Sequence, residues 1–267
     1  MRVYVAAWGM AALAVLPAGA ESQTARGLSR VPPAVAEALR AGDEDHTALR
    51  PTEALEHFEA GLATTPDAFE LLWRASREAL ALGELATNDQ RRAEWFERGV
   101  GYARRAAEAE PERVEGHAHL ALALWLSARS RPASDRARRA EGFVGAARQA
   151  LAVDPSDATA HRVLGAWQAD IMRMSAVTRW TLERLVGDAV SGASWAAAED
   201  HLRLAVSAEP QRLVHHYALG TMLIDAGREE EGHEALRQVV ERPSLEPMDP
   251  ALKQRVRDLL AGAGTFD

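Results

Sequence analysis

His117, His161 and His216 each lie six residues after a proline, namely Pro111, Pro155 and Pro210. Imidazole holds transition metals and moves protons near neutral pH, so a recurring histidine raises the possibility of a metal or acid–base cluster. The alternative is one structural position met three times. Helices packed side by side stand about 8–10 Å apart, which puts the first and third of three equivalent positions roughly 20 Å apart. A zinc ion sits about 2 Å from each ligating nitrogen and cannot span that gap. The local pairs His117 with His119 and His215 with His216 are one or two residues apart, and such neighbours point to different faces of a helix. The histidines are therefore expected to be hydrogen-bonded packing residues, with no metal bound.

Other chemistry is equally sparse. The chain has no cysteine, which excludes thiol nucleophiles and cysteine-based zinc sites. There is no Gly-x-Ser-x-Gly elbow, no His-Glu-x-x-His and no Walker loop. Glu229, Glu230 and Glu231 open a predicted helix, where carboxylates favour the positive end of the dipole and need no catalytic role. No catalytic residue and no cofactor is expected. A net charge of -8 argues against nucleic acid, whose binding rests on a basic face.

The elements that carry these residues follow from the same prolines. Alanine and leucine dominate, aromatic residues make up 6%, and β-branched residues rarely cluster, so helix is favoured along nearly the whole chain. Each phased histidine is followed by a large and a small residue, Leu120-Ala121, Leu164-Gly165 and Leu219-Gly220. Ala106, Ala150 and Ala205 precede the prolines by five residues. This matches the two-helix tetratricopeptide (TPR) pattern, in which the small residue admits helix B against helix A and the proline ends helix B. Ala54, Phe58, Gly61 and Pro66 extend the phase backward, with Leu72, Ala75 and Ser76 on the next helix A.

The expected fold is all-α: a right-handed TPR-like superhelical solenoid of about five helix-turn-helix repeats. The first hairpin spans Pro33 to Thr64. The second uses Ala68–Ala86 and Asp89–Glu108, with Asn88 as N-cap. The third uses Arg113–Ala128 and Asp135–Val153, capped by Ser134; the fourth uses Ala158–Met172 and Trp195–Ala208, capped by Ser194. Gln211–Ala226 and Glu229–Glu241 form the fifth, followed by a terminal capping helix over Pro250–Ala261. Spacing between prolines exceeds the standard 34 residues. The largest excess is an insert over 171–192, predicted to add a helix.

The "LLWRASREA" of Leu71 to Ala79, "YARRAAEAEPERVEGH" from Tyr102, "DPSDATAHRVLGAW" from Asp154 and the C-terminal run from His216 together resemble the regulator of microtubule dynamics family. The resemblance covers roughly residues 50 to 260 and implies a TPR-like helical-repeat protein without catalysis.

Before the repeats, Met1 to Ala20 has an apolar run from Val3 to Leu16, then Pro17 and small residues at Ala18 and Ala20 ahead of Glu21. That pattern predicts a secretory signal peptide cleaved after Ala20, too short for a bilayer span of about 20 residues. Residues 21–32 read as a flexible linker and 33–267 as the repeat domain, in a periplasmic or secreted protein with no stable membrane anchor after cleavage. TPR phasing turns Trp73, Arg77, Trp125, Arg162, Tyr217 and Asp225 toward the concave face, where aromatic and arginine side chains anchor partners. A protein or extended peptide is the expected partner. The rival is a small-molecule or enzymatic pocket under the insert, lined by Met172, Met174 and Trp180.

Overall fold

The computed structural model describes residues 31–262 apart from 130 and 132. The expected signal peptide with Ala18 and Ala20, nearly all of the linker and residues 263–267 lie outside the described residues. Those described hold twelve α-helices and no strand. In order they are α1 Pro33–Thr47, α2 Pro51–Thr64, α3 Phe69–Leu85, α4 Asp89–Ala109, α5 Val114–Arg129 and α6 Ala133–Val153. Next come α7 Ala158–Arg173, α8 Ala176–Val186, α9 Trp195–Ala208, α10 Leu213–Asp225, α11 Glu229–Glu241 and α12 Asp249–Leu260. Helices α1/α2, α3/α4, α5/α6, α7/α9 and α10/α11 pack as antiparallel hairpins, and α3, α5, α7 and α10 stack in succession. The result is a TPR-like solenoid ended by α12.

The proline frame acts through one turn used four times. Helices α2, α4, α6 and α9 stop two residues before Pro66, Pro111, Pro155 and Pro210, and the next A helix starts three residues after each. A backbone bond closes each turn: Ala68 to Thr65, Arg113 to Glu110, Asp157 to Asp154 and Arg212 to Glu209, at 3.0–3.2 Å. Proline sits at the second turn position, where its fixed φ suits the geometry and its missing N–H leaves nothing unbonded.

The phased histidines fasten these turns. The Nε2–H of His117, His161 and His216 donates to the carbonyl of Pro111, Pro155 and Pro210 at 2.8, 3.0 and 2.7 Å. A carbonyl only accepts, so each Nε2 carries a proton. His161 Nδ1 is then free to accept from His201 Nδ1, 2.8 Å away on α9. In the turn after α2 the corresponding position is Leu72, and Arg105 bonds the Pro66 carbonyl instead.

Small residues set how closely the paired helices approach. Ser76, Ala121, Gly165 and Gly220 occupy one phase of the A helices. A Cβ on Gly165 would stand 2.7 Å from Leu202 and 2.9 Å from the Ala198 carbonyl; on Gly220 it would meet Leu236 and the Gly232 carbonyl at 2.8 and 2.9 Å. Ala106, Ala150 and Ala205 of the B helices are fully buried.

Asn88 and Ser194 cap their helices, accepting from Arg91 N and Ala197 N. Ser134 is not at the N-cap position of α6. The helix starts at Ala133, the residue type with the strongest helix preference, so Ser134 falls within the first turn. The insert also starts later than expected, because α7 continues to Arg173. Its helix α8 is capped by Ser175 and packs on α6, and Leu182 and Val190 join the core around Phe143 and Trp167. The Trp167 indole donates to the Ala189 carbonyl at 2.7 Å. The insert seals that core, while Trp180 remains 57% exposed.

Candidate functional site

Successive A helices present the same face to one cavity of about 790 Å³. Counted from the preceding proline, position 7 supplies Trp73, Ala118, Arg162 and Tyr217, and position 11 supplies Arg77, Leu122, Ala166 and Thr221. Position 14 adds Leu80, Trp125 and Ala169; position 18 adds Glu84, Arg129 and Arg173. Steps of four and three residues trace one stripe on a helix. All six residues expected on the concave face, Trp73, Arg77, Trp125, Arg162, Tyr217 and Asp225, line this cavity. Met172, Met174 and Trp180 of the insert do not line it.

The far wall comes from outside the repeats. Glu246, Met248, Leu252 and Arg255, from the α11–α12 connection and α12, close the cavity opposite α3. Buried Asp249 braces that connection by accepting from Leu245 N and Glu246 N at 2.7 and 2.9 Å, and Arg212 bonds Glu246 at 2.9 Å. Repeat phase could not reveal this wall, because α12 has no partner helix to repeat with. His119, Glu84, Arg129 and Arg255 were missed as well. Glu84 and Arg129 do share position 18 with Arg173, and that register was the available signal.

Most charges in the cavity are paired. Arg173 joins Asp170 at 2.8 Å to Asp225 at 2.7 Å, and Arg136 lies 3.4 Å from Asp170. Arg77 donates to buried Glu78 at 2.7 Å. Asp157 caps α7, Glu115 pairs with Arg113 at 2.8 Å, and Glu209 accepts from His215 at 3.1 Å. The His215 hydrogen bond holds the Glu209 carboxyl below its ordinary value, whereas burial pushes His215 down to about 4.

The remainder is mostly cationic. Among the described residues, no hydrogen bond or ion pair reaches Arg129, Arg162, Arg255 or Glu84. Arg162 is 6% exposed and its Nε has no partner; burial lowers its pKa to about 10, which leaves it a cation at neutral pH. Trp125 is also buried, with its indole Nε1 unbonded. Two guanidiniums lie against that ring, Arg129 at 4.8 Å and Arg162 at 5.8 Å from the centroid. Farther along the wall His119 stacks on Trp73 at 5.4 Å, and burial lowers it to about 3, so it stays neutral. Glu84 is solvent-exposed, as are Arg129 and Arg255, and the charges of Arg162, Arg129 and Arg255 favour its ionised form. The arrangement offers donors and aromatic faces in a concave channel, features suited to recognition.

Known proteins place the chain by family and fold. A thermophilic TPR protein from Thermus thermophilus has a similar structure, with TM-score 0.58 and 21% identity over 84% of this chain and 97% of that one. MamA from Desulfovibrio magneticus is similar at TM-score 0.45 and 15% identity, over 79% and 95% of the two chains. No curated protein matches the sequence. Residues 35–264 match the family model described as Regulator of microtubule dynamics protein 1-3, and the chain belongs to that family of TPR-like helical-repeat proteins.

Proposed function

We propose that this protein is an exported, non-catalytic scaffold that binds a protein or an extended peptide along the concave face of its A helices. One observation carries the reading: four stacked helices turn equivalent positions into a single cavity lined by Trp73, Trp125, Arg162 and Tyr217. Solenoids use such concave surfaces for extended partners. The helical-repeat family and fold support a scaffold over an enzyme. Export rests on the signal-like pattern of residues 1–20.

The test is capture of the partner in cells by crosslinking to the full-length chain and to a Trp125→Ala, Arg162→Glu variant of equal helicity. The scaffold reading predicts a protein held by the parent and lost by the variant. Identical capture by both would contradict it. The cavity volume also falls within the roughly 300–1,000 Å³ of small-ligand sites, which supports a small-molecule ligand as the second reading. Native mass spectrometry separates the two, since a retained small molecule adds a discrete mass.

A further inference from the structure

Helix α8 seals core with one side and leaves the other bare. Leu182 is buried, whereas Val177, Trp180, Thr181 and Arg184, at steps of three and four residues, form one exposed stripe. Val177 is 75% and Trp180 57% exposed, the highest values among the large apolar side chains described. The Arg184 guanidinium lies 4.3 Å from the centroid of the Trp180 ring. Neither Val177 nor Trp180 lines the cavity or joins the core. A single exposed apolar side chain is ordinary, so the surroundings of this pair decide its meaning.

Those surroundings are basic. Helices α5 and α7 stack in succession, so the α5–α6 connection and the insert open on the same edge of the array, where α8 packs on α6. Residues 128–139 and 172–184 hold eight arginines and two acids, in a chain whose net charge is -8. Arg139 and Arg184 are exposed and, among the described residues, meet no acid. Arg138 pairs with Asp135 on its own helix, an exposed contact of little strength that leaves the cation available.

We infer that this edge docks on an anionic lipid bilayer, with Val177 and Trp180 entering the headgroup layer and Arg138, Arg139 and Arg184 meeting lipid phosphates. Tryptophan combines an apolar ring with a polar N–H, the pairing that settles at a membrane interface. Arginines near an anionic leaflet add electrostatic attraction, and their long stems let the charge stay at the phosphates while neighbouring apolar groups sink. Nucleic acid carries the same phosphate charge, but its bases take flat rings and its backbone takes cations, which leaves Val177 without a role. No helix among the described residues is long and apolar enough to cross a membrane, so this contact is one of surface docking. It is independent of what the cavity binds.

The chain has no cysteine, so Thr181→Cys carrying an environment-sensitive fluorophore reports on this stripe alone. Gln254→Cys, exposed on α12, is the reference site. The full chain with either label is mixed with vesicles of phosphatidylcholine, or of phosphatidylcholine and phosphatidylglycerol in equal parts, with and without nitroxide-bearing lipid. The expected result is a blue shift and nitroxide quenching at position 181 on the anionic vesicles, reversed by salt and absent at position 254. Arg138→Gln, Arg139→Gln and Arg184→Gln should each weaken vesicle affinity about fivefold, the effect of one basic side chain near such a surface. Trp180→Ser should weaken it about tenfold, as for returning half of a large apolar side chain to water.

No response at position 181 on either vesicle overturns the docking surface. Equal responses on neutral and anionic vesicles overturn the part given to the arginines, and equal responses at 181 and 254 overturn the location. A shift produced by single-stranded DNA and not by vesicles assigns the edge to nucleic acid and overturns the lipid. A shift that grows with protein concentration in the absence of vesicles points to a second copy of the chain and does the same. Binding unchanged by Trp180→Ser and by all three arginine variants, each of parental helicity, removes these residues from the contact.

Discussion

A histidine in phase with a proline proves to be a fastener. The turn places the proline carbonyl so that it points back along the following helix, and the imidazole six residues on meets it. The consequences scale with burial. His161 is buried and also bonds His201, whereas His117 is part-exposed. His161→Leu should therefore cost about 1–3 kcal/mol by removing both part-buried bonds of this ring, to the Pro155 carbonyl and to His201, and His117→Leu about 1 kcal/mol or less, since water can replace its bond. Urea midpoints of the two variants check the order; equal losses would contradict it. The offset between proline and histidine was legible in the sequence, but its partner atom was not, because the carbonyl's direction depends on the turn. The concave stripe was partly legible for a similar reason. Phase found Trp125 and Arg162. It passed over Glu84 and Arg129, whose position lies near the end of A helices belonging to repeats longer than the 34-residue pattern.

Between elements, the controlling quantity is how closely helix A meets helix B. At Gly165 the opposing surface is the Ala198 carbonyl, which is backbone and cannot rotate away. Gly165→Ala should destabilise by about 1–3 kcal/mol, the usual range for overpacking, despite alanine's better helix preference. Gly145 faces open space, so the same change there should stabilise the protein by up to about 1 kcal/mol. Thermal melts of both variants test the contrast, and a stabilised Gly165→Ala protein would contradict the packing account. Helix order and ends were legible because caps such as Asn88 and Ser194 and the four prolines mark them locally. Ser134 misled because a hydroxyl one residue inside a helix reads like a cap when alanine precedes it. The wall from Glu246 to Arg255 was not legible, since its position depends on how the last hairpin folds back and not on any periodic signal.

On the scale of the whole molecule, the array uses its two faces differently. B helices and the insert seal hydrophobic core, and the A helices with α12 enclose a channel whose charges are incompletely matched. A solenoid in which each repeat contacts mainly its neighbours keeps such a channel open at little cost to the remaining packing. The central claim is that a polypeptide partner occupies the channel. The most direct measurement places a photo-crosslinking amino acid at Tyr217, inside the channel, or at Trp180, exposed on the insert, in the full-length protein expressed in its own cells. The account predicts a discrete crosslinked polypeptide from position 217, lost on Arg162→Glu, and none shared with position 180. A partner crosslinked from position 180 alone, or one from 217 that survives Arg162→Glu unchanged, would contradict it.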